Sequence, residues 1–144
     1  MRIPLQFGQA VGLDGCQQRA SRVSNGAMPR SRVLIVEDDR DIREELAALL
    51  EENDYCVLLA DHGLHALEVM RAGNRPDAII LDLMMPVMDG WEFRERQKSD
   101  PDLAHIPVIV TTASEKSIDA AALLRKPVDR DALLRALEKH ARRA

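Results

Sequence analysis

Five short apolar runs recur along the chain: RVLIV (32–36), YCVLLA (55–60), DAIIL (77–81), PVIVTT (107–112) and ALLR (122–125). Each is aliphatic or β-branched with little alternation, which is how strands buried on both faces read. Helical spacing fills the intervals. Residues 40–53 place Ile42, Leu46, Leu49 and Leu50 on one stripe. His62–Arg71 does the same with Leu64, Leu67 and Met70, and Gly73 follows as a stop. Trp91 and Phe93 open a third helix after Asp89-Gly90. A last helix, about 129–142, turns Leu133, Leu134 and Leu137 inward, with Asp129 as its N-cap and basic residues toward its C-terminal end. Strand and helix in alternation predict an α/β fold with a doubly wound, five-stranded parallel sheet.

One interval breaks the rhythm. Only eight residues, 114–121, stand between Thr112-Ala113 and the fifth run. A mean helix of about 11–12 residues with its loops does not fit there. The fourth crossover helix is therefore expected to be one or two turns, or missing.

Residues 1–27 show neither period and are rich in Gly, Gln and Ser, with Met28 just before the pattern begins. Residues 1–29 are expected to form a poorly ordered extension, and 30–144 one domain. The extension lacks the apolar stretch and early basic cluster of a secretory leader. No run approaches the roughly 18 apolar residues of a membrane span. Cys16 and Cys56 do not make a disulfide framework; Cys56, inside an apolar run, reads as a buried thiol in a reducing compartment. A cytoplasmic location is the expectation.

The net charge of −4 is uneven: residues 1–27 carry +2, which leaves −6 on the remainder. So acidic a body argues against nucleic acid as a direct partner. Carboxylates gathered around a cation explain it better.

The strand ends carry the chemistry. The first run leads into Glu37-Asp38-Asp39, the third into Asp82, the fourth ends in Thr111-Thr112, and the fifth leads into Lys126-Pro127; the second ends in Ala60, with no clearly placed reactive group. In open parallel sheets ligands bind beyond the carboxyl ends of the strands. A strand order 2-1-3-4-5 sets the four polar ends side by side and sends the silent strand to the edge. Carboxylates of Glu37, Asp38 and Asp82 held close together repel, and a hard divalent cation such as Mg²⁺ relieves them. Such a cation favours attack on a phosphoryl group by a carboxylate oxygen. Lys126 adds a positive charge and Thr112 a hydroxyl donor.

The motifs VLIVEDD (33–39), LDLMMPVMDG (81–90), VIVTTAS (108–114) and LLRKPV (123–128), in this order, resemble the receiver domain of two-component response regulators, from about Arg30 to the C-terminus. The resemblance implies a flavodoxin-like (CheY-like) sheet. It makes Asp82 the phosphoacceptor, with Asp38 a direct Mg²⁺ ligand, Glu37 a ligand through water and the Met84 carbonyl another. It makes Thr112 the switch hydroxyl and Lys126 the phosphoryl-binding lysine, on a cis Lys126–Pro127 bond. It implies a phosphoryl donor, a sensor histidine kinase or histidine phosphotransferase, and a downstream protein partner. The expected role is a single-domain phosphoreceiver that catalyses only its own phosphorylation and dephosphorylation, without nucleic acid or membrane.

Plainer readings compete. Asp38 or Asp39 could cap the first helix, Met84, Met85 and Met88 could be loop packing, and the four histidines, lacking metal-ligand spacing, read as surface residues. At the level of function, a pseudo-receiver scaffold that never carries phosphate is the alternative. An aspartyl-phosphate phosphatase wants an acid two residues past the nucleophile, where Met84 stands. The chain also departs from the family: Leu123 occupies the position of its switch aromatic, three before the lysine. With the fourth helix short or missing as well, the usual output face is expected to be rebuilt.

Overall fold

The computed structural model describes residues 31–116 and 118–141. The extension expected over residues 1–29, with Cys16, lies outside the described residues, as do residues 142–144.

All five apolar runs are strands: β1 (Arg32–Val36), β2 (Cys56–Ala60), β3 (Ala78–Asp82), β4 (Val108–Thr112) and β5 (Ala122–Arg125). They form one sheet in the order β2-β1-β3-β4-β5, every neighbouring pair parallel. The helices are α1 (Arg40–Glu52), α2 (Gly63–Arg71), α3 (Gly90–Ser99) and α4 (Arg130–His140). This is the doubly wound, flavodoxin-like strand order expected from the sequence.

Alternation along the strands sorts their side chains into two cores. Leu34, Val36, Leu58, Ile79, Leu81, Val108 and Val110 face α2 and α3, where Leu67, Met70 and Phe93 meet them. Val33, Ile35, Val57, Ile80 and Ile109 face α1 and α4, meeting Leu46, Leu50, Leu133 and Leu137. Burying each such side chain contributes roughly 1.5–3 kcal/mol, which is what fixes the strand register.

The helix starts follow their polar caps. Asp39 accepts from the Asp41 and Ile42 amides to start α1, Asp89 from Glu92 to start α3, and Asp129 from Ala132 to start α4. Of the two first-helix candidates, Asp39 is thus the cap, which frees Asp38. Helix α2 is capped by His62, whose ring nitrogen accepts from the His65 amide at 3.1 Å. His62 and His65 are half-buried. His65 Nδ1 lies 3.0 Å from Asp61 Oδ1, so these two histidines are not simple surface residues. Gly73, at φ +101°, ends α2 in the left-handed region glycine favours. Gly90 is required by packing: a Cβ there would lie 2.7 Å from Leu83 Cα.

Between β4 and β5 no helix is present among the described residues. The connection is a strap tied down by arginines. Arg94 Nε of α3 donates to the Asp119 carbonyl at 2.9 Å, and Arg125 donates to the Ser114 carbonyl and, at 3.4 Å, to that of Glu115. Ile118, Ala120 and Leu123 pack against the α2–α3 side of the core.

Candidate functional site

The sheet delivers the polar strand ends to one place. Glu37 leaves β1, Asp82 ends β3 and Lys126 leaves β5; β1 pairs with β3, and β4 bridges from β3 to β5. The ladders continue one residue past the strands, with Glu37 N donating to the Ala60 carbonyl at 3.1 Å and Lys126 N to that of Thr112 at 2.8 Å. Glu37 and Asp82 are buried, at 1% and 3% exposure, while Asp38 is exposed. One carboxylate oxygen from each of the three lies within 4.8 Å of the others.

Lys126 binds this group together. Its Nζ donates to Glu37 Oε1 at 3.0 Å and lies 3.6 Å from Asp82 Oδ1. The Met84 amide donates to the same Asp82 oxygen at 3.2 Å. Burial and the Glu37 charge push the Asp82 carboxyl up to about 7, against the opposing pull of Lys126 and the Met84 amide. Burial works against the Lys126 charge, but its hydrogen bond to Glu37 and the charges of Glu37 and Asp82 prevail and raise it above the ordinary lysine value. The Lys126–Pro127 bond is cis.

Glu37, Asp38, Asp82 and Lys126 are therefore brought together as the strand ends predicted. Thr112 closes β4, fully buried, with its Oγ1 accepting from the Ser114 amide at 2.9 Å. The Met84 side chain is exposed, and its backbone lies in the loop that turns over Asp82. Two supporting contacts on Glu37 were not foreseen from the sequence. Arg43 donates to the Glu37 carbonyl at 2.7 Å, and the Asp39 amide to Glu37 Oε2 at 3.2 Å. The signal for Arg43 was its place one turn into α1, facing back to the end of β1. The donor set fits a metal: all oxygen, two of the three carboxylates buried, and too much negative charge for one lysine to offset.

A match to the response regulator receiver domain family covers residues 33–138. The chain belongs to that family. Response regulator MprA from Mycobacterium sp. (strain KMS) is 42% identical over 98 residues, covering 68% of this chain and 41% of the relative. The version from Mycobacterium ulcerans (strain Agy99) is likewise 42% identical over the same length. The chain thus spans about two fifths of the length of these curated relatives. Among solved receivers, the signal receiver domain of a histidine kinase from Syntrophus aciditrophicus superposes with a TM-score of 0.72 at 31% identity, covering 77% of this chain and 89% of the other. The receiver domain of a sensor histidine kinase from Pseudomonas aeruginosa PAO1 superposes with a TM-score of 0.72 at 26% identity, covering 78% and 98%. That protein holds a magnesium ion in its active-site cleft.

As a receiver of the two-component class, this chain keeps the acidic end of β1 and the lysine after β5 while lacking a helical crossover before β5 among the described residues. Its helices among the described residues are all too short or too polar to cross a membrane.

Proposed function

We propose that the chain is a phosphoryl acceptor in a two-component relay, with Asp82 as the residue that carries the group. The observation that carries this reading is the meeting of Glu37, Asp38 and Asp82 within 4.8 Å under the Lys126 ammonium. Met84 and Lys126 hold the Asp82 carboxylate in place through Oδ1, and a carboxylate oxygen of Asp82 is the attacking atom. It forms a bond to the phosphorus of a phosphohistidine as the P–N bond breaks and its electron pair returns to the imidazole. Lys126 turns from Glu37 to the phosphoryl oxygens, and the Thr112 hydroxyl leaves the Ser114 amide to donate to another.

Asp38, Asp82, the Met84 carbonyl and, through water, Glu37 would hold Mg²⁺. When bound, the ion supplies the positive charge that neutralises the incoming group. The donor is a sensor histidine kinase or histidine phosphotransferase. The output is a changed protein contact, without turnover of an external substrate, in the cytoplasm.

Intact mass after incubation with a small acyl phosphate and Mg²⁺ tests this, with Asp82→Asn as control. A gain of one phosphoryl group that needs both Mg²⁺ and Asp82 is expected. The lack of a crossover helix among the described residues, with Leu123, favours a second reading, a scaffold that never carries phosphate. No mass gain from the acyl phosphate, together with an unchanged Trp91 emission on adding beryllofluoride and Mg²⁺, would select it.

A further inference from the structure

One buried hydroxyl has no structural employment. Thr111 is 1% exposed, and its Oγ1 is the one buried side-chain nitrogen or oxygen among the described residues with no hydrogen-bond partner. Such an unpaired group costs about 1–3 kcal/mol, and a valine of the same shape would avoid the cost.

Its position is specific. Thr111 pairs in register with Asp82 on β3 and with Leu124 on β5. Strand alternation puts Glu37 on the same sheet face as Val33 and Ile35, Asp82 with Ala78 and Ile80, Thr111 with Ile109, and Lys126 with Ala122 and Leu124. On that face Thr111 stands beside Asp82, and Lys126 lies one same-face step beyond its other register neighbour, Leu124. Thr112 belongs to the opposite face, with Val108 and Val110, so the two threonines do different work.

We infer that Thr111 is a positioning residue of the acceptor site: its hydroxyl donates to the Asp82 carboxylate when Lys126 turns to the phosphoryl oxygens. This rests on the reading of Asp82 as phosphoacceptor. In the present arrangement Lys126 is the cation beside Asp82 Oδ1. Once that ammonium serves the phosphoryl group, Asp82 keeps the Met84 amide and loses the cation, and Thr111, its register neighbour on β4, is the unpaired donor beside it.

The consequence falls on hydrolysis. Water forms a new P–O bond, the P–O bond to Asp82 breaks, and its electron pair leaves with Asp82 as a carboxylate. One water proton goes to solvent and the other stays on the released phosphate. A hydroxyl bonds a developing carboxylate more strongly than a neutral acyl oxygen, so Thr111 hastens the departure of Asp82 and shortens the life of the phosphorylated state.

The test compares wild type, Thr111→Val and Thr111→Ser, each phosphorylated with a small acyl phosphate and Mg²⁺, freed of donor, and followed by intact mass. Thr111→Val is expected to hold its phosphoryl group about 3- to 10-fold longer, the worth of one hydrogen bond. Thr111→Ser should decay at the wild-type rate, and the thermal midpoint of Thr111→Val should equal or exceed that of wild type. Equal decay of Thr111→Val and wild type overturns the inference, as does a serine variant as slow as the valine one. A wild type that takes no phosphoryl group overturns the acceptor reading itself and this inference with it.

Discussion

Lys126 Nζ donates to Glu37 Oε1 at 3.0 Å, joining the ends of β5 and β1 across the carboxyl edge of the sheet. Glu37 is 2% exposed in its side chain and Lys126 20%. Removing the cation leaves Glu37 and Asp82 buried without it. Lys126→Gln is expected to cost about 1–3 kcal/mol in metal-free protein, less than the usual cost of breaking a buried ion pair because Asp82 can take up a proton instead. Urea unfolding in chelator checks this. Added Mg²⁺ should restore part of the loss, while phosphorylation of Asp82 falls at least about tenfold, since the charge that meets the phosphoryl oxygens is gone.

Asp82 sets the pH dependence. Its folded carboxyl is held up to about 7, above the usual 3.8. The folded state therefore binds a proton that the unfolded chain has released. Its stabilising contribution is present below the unfolded value, is lost as pH rises, and is gone above about pH 7. Metal-free wild type should thus lose stability relative to Asp82→Asn between about pH 5 and pH 8. Paired urea titrations at the two values measure it. A gap between the two proteins that does not widen with pH would contradict the burial and crowding of this carboxyl.

Val87 is a strained position. It adopts φ 68°, in the left-handed region, and is 74% exposed, so no packing repays the strain. Val87→Gly should raise stability by about 1 kcal/mol, since relief of the β-branched strain exceeds the entropy glycine adds to the unfolded chain. Thermal unfolding would show it as a rise of a few degrees.

Gln97 is the polar side chain that α3 sends fully inside. Its amide nitrogen donates to the Leu103 and Ile106 carbonyls, each at 2.9 Å, and its oxygen accepts from Arg94 at 2.9 Å. Gln97→Leu leaves these groups unpaired and should cost about 2–4 kcal/mol. Phosphorylation below the new melting temperature should be unchanged, because the cost falls on the turn after α3 and not on the strand ends.

Strands β1 to β4 were legible because they are buried on both sides, so apolar runs need no partner pattern to be seen, while the half-buried edge strand β5 shows only as the short run ALLR. That the crossover before β5 would hold at most a short helix was legible from the chain length between Thr112 and Ala122, and no helix is present there among the described residues. The site was legible because the polar ends of β1, β3, β4 and β5 lie side by side, while β2 ends in Ala60 at the sheet edge. What stayed hidden depends on direction rather than composition. Asp38 and Asp39 are chemically alike, and only the turn into α1 decides that Asp39 caps and Asp38 faces the other carboxylates. His62 as a cap, Val87 in a left-handed turn and Gln97 inside the core likewise follow from backbone path. Their neighbours in sequence do not announce it.

With Leu123 in place of a switch aromatic, this receiver is expected to report its state along the β4–β5 strap. The Ser114 amide donates to Thr112 Oγ1 at 2.9 Å, and the Lys116 amide donates to Ser114 Oγ at 3.1 Å. Lys116 Nζ in turn lies 5.8 Å from the centre of the Trp91 ring at the start of α3. A Thr112 hydroxyl drawn to the phosphoryl group releases the first bond of this chain, and the turn carrying Lys116 must adjust. Trp91 is the sole tryptophan in the sequence, so its emission isolates the event. Beryllofluoride with Mg²⁺ is expected to shift Trp91 emission in wild type and leave it nearly still in Thr112→Val. Ser114→Ala, which keeps the phosphoryl-facing hydroxyl but cuts the second bond, should bind beryllofluoride as wild type does with a reduced optical response. Equal responses in wild type and Ser114→Ala would mean that the state is read elsewhere, with the β4–β5 strap a passive cover.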